Sequence, residues 1–187
     1  MFINRALPCG SRTIDQMRQA ARSCKQNIVE GVSDGTVSAE MCIKLLGVAR
    51  GSVKELREDY TDFLRQHKYE IWGGEDTRTM AVRNYSRAHY EPREYVDKCE
   101  ARSDETVANI MLTLIFQMEA MLAKVLKAVE ADFIANGDIK EKYEPCAPLA
   151  PRLLRRPGPI YRMLLMYRMF LMFLMWLMEL HPQHKLH

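Results

Sequence analysis

Three stretches of this chain repeat apolar residues every three or four positions. That recurrence puts the apolar side chains of each stretch on one side of an α-helix and predicts rods that pack against one another. Between Thr13 and Val29 the seam is Ile14, Met17, Ala21, Cys24 and Ile28. Thr13 followed by Gln16 reads as a capping box at its start, and Gly31 as a left-handed stop at its end. The second stretch opens with Ser38 as N-cap and Glu40 in the first turn, where a carboxylate meets the positive end of a helix. Its seam, Cys42, Leu45, Ala49, Val53, Leu56, Tyr60 and Phe63, runs on to Tyr69, enough to cross a small domain at about 1.5 Å per residue. Gly47 and Gly51 interrupt it, each at about 1 kcal/mol relative to alanine, a cost that close approach of another backbone at that turn would offset.

Trp72-Gly73-Gly74-Glu75-Asp76 breaks this second helix. Thr77 to Arg102 is polar and aromatic (Tyr85, Tyr90, Tyr95) and split by Pro92, so shorter helical pieces are expected there. Ser103-Asp104-Glu105 starts a third long helix with the seam Val107, Met111, Leu114, Met118, Met121, Val125 and Val129. Ile110, Ile115, Leu122, Leu126 and Phe133 widen that seam, which implies two buried faces, one for the bundle and one for a neighbouring subunit. Asn136-Gly137 ends it. The fold class is therefore all-α, with residues 1–136 as the helical bundle, 137–159 as a Pro-rich linker (Pro145, Pro148, Pro151, Pro157, Pro159) and 160–187 as an irregular Met/Leu-rich tail. In the tail Met163, Met166, Met169, Met172, Met175 and Met178 recur every three residues, a period that drifts around a helix and defines no single face.

With 187 residues, 48% hydrophobic and only 9 Gly and 8 Pro, the chain fits one globular domain and excludes collagen-like and fully disordered classes. Five scattered cysteines without a C-x-x-C pair specify neither a disulfide framework nor a zinc site. With no secretory leader pattern in Met1 to Gly10, they point to a reducing, cytoplasmic setting. The net charge of +3 is uneven: residues 1–150 hold 21 Lys+Arg against 23 Asp+Glu, and 151–187 hold 6 against 1. A nucleic-acid face must therefore be sought by position. Arg18, Arg22 and Lys25 lie at i, i+4, i+7 on the first helix, and Arg50, Lys54 and Arg57 repeat that spacing on the second. Two such parallel stripes would make a groove for a phosphate backbone. His181, His184 and His187 share a spacing of three, but Pro182 interrupts them and no carboxylate supports them, so no metal is expected. The apolar run of the tail falls short of about 20 residues and holds Arg168, so a membrane span is not the expected reading; a bundle tethered to a membrane by this tail is one alternative. No P-loop, Rossmann glycine pattern, nucleophile elbow or metalloprotease motif occurs, so no cofactor and no enzymatic reaction are expected.

Two resemblances bear on function. Arg83-Asn84-Tyr85-Ser86-Arg87-Ala88-His89 is similar to the Arg, polar, spacer, His signature of the helical HEPN ribonucleases, which implies as an alternative acid–base chemistry on RNA by Arg83 and His89. More of the chain carries the second: Arg12-Thr13-Ile14-Asp15-Gln16-Met17, then Ala20 to Gly31 (Ala-Ala-Arg-Ser-Cys-Lys-Gln-Asn-Ile-Val-Glu-Gly), then Leu45 to Leu56 with Gly51-Ser52-Val53-Lys54-Glu55-Leu56. These resemble the bacterial four-helix-bundle family of proteins encoded in intervening sequences of 23S ribosomal RNA genes, itself similar to the accessory variability determinant of diversity-generating retroelements. Glu105-Thr106-Val107-Ala108-Asn109-Ile110-Met111 resembles a branch with a C-terminal suffix. The resemblance covers about Ile3 to Asn136. It implies an antiparallel four-helix bundle, a homo-oligomer with a pentameric ring as the expected form, no catalysis, and basic surfaces that engage nucleic acid or a reverse transcriptase. It adds weight to Arg22, which lies inside the motif, and less to Arg18, Lys25 and Arg50. Family members begin with a full helix of which Met1 to Arg5 resembles only the last turn, so the fourth helix is expected from Thr77 to Arg102, or the bundle stays incomplete with an apolar groove.

Overall fold

The computed structural model describes residues 11–32, 38–89 and 91–136. The linker 137–159 and the tail 160–187, with its methionine repeat and its three histidines, lie outside the described residues. Five helices follow one another: α1 (Arg12–Val32), α2 (Ala39–Gln66), α3 (Thr77–Ala88), α4 (Pro92–Glu100) and α5 (Asp104–Asn136), and no strand occurs among the described residues. The all-α class and the three long helices follow the apolar periodicity. Ile14, Met17, Ala21, Cys24 and Ile28 of α1 are buried, as are Cys42, Ala49, Val53, Leu56, Tyr60 and Phe63 of α2.

Caps and stops differ from the expected ones in instructive ways. Thr13 lies inside α1, whose first turn is closed by the Ile14 N–H donating to the Ser11 carbonyl (3.0 Å), so the expected Thr13/Gln16 capping box is not the start. Gly31 is also helical rather than a left-handed stop. A Cβ there would come within 3.3 Å of the Leu45 Cβ and 3.6 Å of the Cys42 carbonyl oxygen, so its small size serves the close approach of α1 to α2. Gly47 and Gly51, where that approach was expected, have nothing among the described residues within 4 Å of an added Cβ. Ser38 does cap α2, its hydroxyl accepting from the Met41 N–H (3.2 Å). The stop of α2 is at Lys68, at φ 56°, ahead of the Trp72-Gly73-Gly74 break. The Lys68 N–H reaches the Arg65 carbonyl and the Tyr69 N–H the Leu64 carbonyl (3.0 and 2.9 Å), while the Tyr69 ring lies 6.1 Å from Phe63, the bonds and apolar contact of a Schellman ending.

Contacts fix how the rods run. Gly31 lies against Cys42 and Leu45, while Ser23 meets Ser52 through their hydroxyls (3.2 Å), so α1 and α2 are antiparallel. Arg57 of α2 bonds Glu119 of α5 (2.8 Å), and the chain just after α2 bonds Asn109, nearer the start of α5, so this pair is antiparallel as well. α2 packs extensively on both, while α1 and α5 barely touch. α3 packs on α5, with the Ser86 hydroxyl donating to the Gln117 amide oxygen (3.1 Å).

The breadth of the third seam finds its explanation within one chain. All residues from Val107 to Ile115 are buried, so α5 is enclosed on every side over this stretch. Its polar members are satisfied: the Asn109 amide oxygen accepts from the Trp72 N–H (2.9 Å), its nitrogen donates to the Glu70 carbonyl (2.8 Å), and the Thr113 hydroxyl donates to the Asn109 carbonyl (2.9 Å). Farther along, burial narrows to the stripe Met118, Leu122, Val125 and Val129. The expected second face of α5 is thus filled over Val107 to Ile115 by the chain's own connection and short helices, and a neighbouring subunit is not needed to account for it.

Candidate functional site

The seam of α1 turns inward and leaves its opposite face to solvent. There Arg18, Gln19, Arg22, Ser23, Gln26 and Asn27, with Asp15 and Glu30 at the ends, line an open polar groove of about 590 Å³. Arg22 is exposed and has no ion-pair partner among the described residues. The Arg18 guanidinium lies 3.7 Å from Asp15, and Lys25 is half-buried. Gln26 donates to Glu30 (2.9 Å), and Asn27 donates to the Ser23 carbonyl (2.8 Å), so one wall of the groove is pre-ordered by hydrogen bonds one helical turn apart.

The second stripe does not join the first. Arg57 is a strut between α2 and α5: it donates to Glu119 (2.8 Å) and Glu58 (2.7 Å), and its guanidinium carbon lies 5.9 Å from the Phe116 ring centroid. The Glu58 hydrogen bond, together with the Glu119 charge, lifts Arg57 above its ordinary range and keeps it charged. Its guanidinium is thus engaged by carboxylates on both α2 and α5. Arg50 is half-buried with its Nε lacking a hydrogen-bond partner among the described residues, and Lys54 is exposed. Arg57 reaches α5 rather than α1, and the groove beside the first stripe is lined by α1 residues.

Arg83 and His89 also part company. Arg83 donates back to the Gly74 carbonyl (3.0 Å), whereas His89 ends α3 with its ring stacked on Tyr85 (3.7 Å between centroids, 6° apart) and its Nδ1 2.9 Å from the Tyr85 carbonyl oxygen. Each is held by a different neighbour, and α3 stops at Ala88 instead of continuing as a long helix. No three His, Cys, Asp or Glu side chains among the described residues are grouped to hold a metal. One described helix, Asp104–Ala135, is long and apolar enough to cross a membrane, and 61% of its most apolar window is buried within the chain.

Sequence reasoning missed a cavity of about 400 Å³ where α3 and α4 meet the start of α5. Trp72, Val82, Tyr85, Tyr95 and Ile110 give it largely apolar walls, with Cys99 beside them. Arg78, Lys98, Arg102 and Glu105 supply its charge. Arg78 is held by Asp76 (2.6 Å) and Glu70 (2.9 Å), and its guanidinium carbon sits 4.8 Å from the Trp72 ring centroid. The Lys98 ammonium lies 4.4 Å from the Tyr85 centroid. Tyr95 packs edge-on against Tyr85 (5.3 Å) and donates to the His89 carbonyl (3.0 Å), which fixes α4 on α3. Burial pushes the Cys99 thiol up to about 11, which favours its neutral form. The signal was present as aromatic and basic residues interleaved between Trp72 and Arg102. Pro92 stands in the first turn of α4, and it is the Tyr95 and Lys98 contacts with α3 that bring the two short helices together. Comparison of the chain with protein-family models, with curated proteins and with solved structures finds no match.

Proposed function

We propose that this chain is a non-enzymatic helical-bundle adaptor that assembles with copies of itself and engages nucleic acid through the outer face of α1. The observation that supports this reading is the open polar groove with exposed Arg22 at its centre and Arg18 beside it, on a helix whose other side is committed to the core. Cations held at helical spacing over hydrogen-bonding side chains suit the oxygens of a phosphate backbone. The antiparallel pairs α1–α2 and α2–α5 supply three rods of a bundle and two of its packed sides, with α1 and α5 hardly in contact. The resemblance in the first two helices extends the proposal to an antiparallel four-helix bundle, a pentameric ring in the cytoplasm, and a reverse transcriptase as a second class of partner.

The test is binding to duplex and single-stranded nucleic acid over a salt series, with the triple variant Arg18→Ala, Arg22→Ala, Lys25→Ala beside the wild type. Each duplex phosphate that the variant no longer neutralises makes the log–log salt slope shallower by about 0.9, so a change of about two to three is expected. An unchanged slope and affinity would retire the α1 face as the binding surface. Sedimentation of the wild type reads the assembly separately, and a monomer at micromolar concentration would remove the oligomer from the proposal.

A further inference from the structure

We infer that the cavity between α3, α4 and the start of α5 is a binding site for a small amphipathic anion, an aromatic body carrying one carboxylate or phosphate. Its volume of about 400 Å³ lies within the range of small-molecule sites, about 300–1,000 Å³, and its make-up is theirs: apolar and aromatic walls with a few charged groups. The lining holds three cations and one carboxylate. That carboxylate, Glu105, already accepts from the Glu70 N–H (3.0 Å), and Arg78 is neutralised by Asp76 and Glu70. Lys98 has only the face of Tyr85 against its ammonium, with no carboxylate in ion-pair range among the described residues. A charge-assisted hydrogen bond holds an ammonium more strongly than the face of a partly exposed ring does, so an anionic head draws Lys98 away from the ring. That movement uncovers the Tyr85 face toward the cavity, because His89 covers the other side, and the ligand's own ring takes the uncovered place. Trp72, whose indole N–H is buried without an acceptor among the described residues, also lines the cavity.

The site is separate from the α1 groove, and its test does not involve nucleic acid. The full chain with Trp176→Phe leaves Trp72 as its one tryptophan, and its fluorescence is titrated with 1-naphthyl phosphate, 1-naphthoate and the neutral 1-naphthylmethanol. Saturable quenching by one or both anions is expected, with the alcohol at least tenfold weaker, and the stronger of the two heads identifies phosphate or carboxylate as the natural group. The double variant Lys98→Ala, Arg102→Ala weakens the anions at least tenfold and leaves the alcohol unchanged. Ala81→Phe, at an exposed position of α3 that lines the cavity, blocks all three while circular dichroism stays that of the wild type. If Ala81→Phe lowers helicity, the charge variant carries the decision. Absent saturable quenching, equal affinity for the alcohol, or anion binding undiminished in the charge variant would each overturn the inference.

Discussion

Asp59 shows how a single side chain on the outer part of α2 ties stability to pH. Its carboxyl is pushed up to about 6, first by partial burial and then by the nearby charges of Asp62 and Glu55. A carboxyl of raised pKa is more protonated in the folded chain than in the unfolded one between about pH 4 and pH 6, so its contribution to stability falls as pH rises through that window and is lowest above it. Asp59→Asn is expected to stabilise the chain at pH 7.5 by about 1 kcal/mol, a figure discounted for the solvent that reaches this half-buried group, and to remove part of the stability gained on acidification. Urea midpoints of both proteins at pH 7.5 and pH 4.5 check it; a variant no more stable than the wild type at pH 7.5 would show that Asp59 is adequately solvated. Lys68 illustrates the converse, a residue without sequence signal placed in a left-handed conformation because the closing bonds of α2 and the Tyr69–Phe63 packing demand it.

At the scale of elements, three glycines in helices have different reasons to be there. Gly31 gives room to Leu45 where α1 meets α2, so alanine there gains helix propensity and crowds the packing. No described residue lies within 4 Å of a Cβ added at Gly47 or Gly51. Gly47→Ala and Gly51→Ala should each stabilise an unassembled chain by about 0.5–1 kcal/mol through helix propensity, and Gly31→Ala by less than either. Thermal midpoints rank the three, and a shift of several degrees per kcal/mol makes the difference measurable. If Gly47→Ala or Gly51→Ala lowers the midpoint, another surface covers that face of α2, which in a self-assembling chain is a second copy. The apolar breadth of α5 teaches a related lesson: an all-round apolar helix is enclosed, but its composition does not say by what, and here the enclosure over Val107–Ile115 comes from the same chain.

In the whole molecule, α2 is the shared partner of α1 and α5, and the connection from Lys68 to Asp76 is pinned to α5 by Asn109. Amide exchange is expected to follow this arrangement, slowest in Val53 to Leu64 and Val107 to Ile115, faster in α1, and fastest in α4, because opening costs least where the least apolar surface is buried. Hydrogen exchange followed by mass spectrometry reads it peptide by peptide; equal protection of α4 and α2 would contradict the hierarchy. The Arg57–Glu119 pair also belongs to this scale, since the two residues lie 62 positions apart and meet because α2 and α5 pack antiparallel.

The amino-acid order by itself determined the all-α class, the three long helices, the caps at Ser38 and Ser103, and the inward seams of α1 and α2, because apolar periodicity and capping are local physics written within a few residues. Only the tertiary structure decided that Gly31 rather than Gly47 or Gly51 is the point of close approach, that Arg57 is a strut while Arg22 has no ion-pair partner among the described residues, that Arg83 and His89 are held by different neighbours, and that three aromatic rings and three cations line one cavity. Those outcomes depend on which side chains meet across distant segments. A residue's type and its spacing along one helix state which face it occupies, and they leave open what that face will meet.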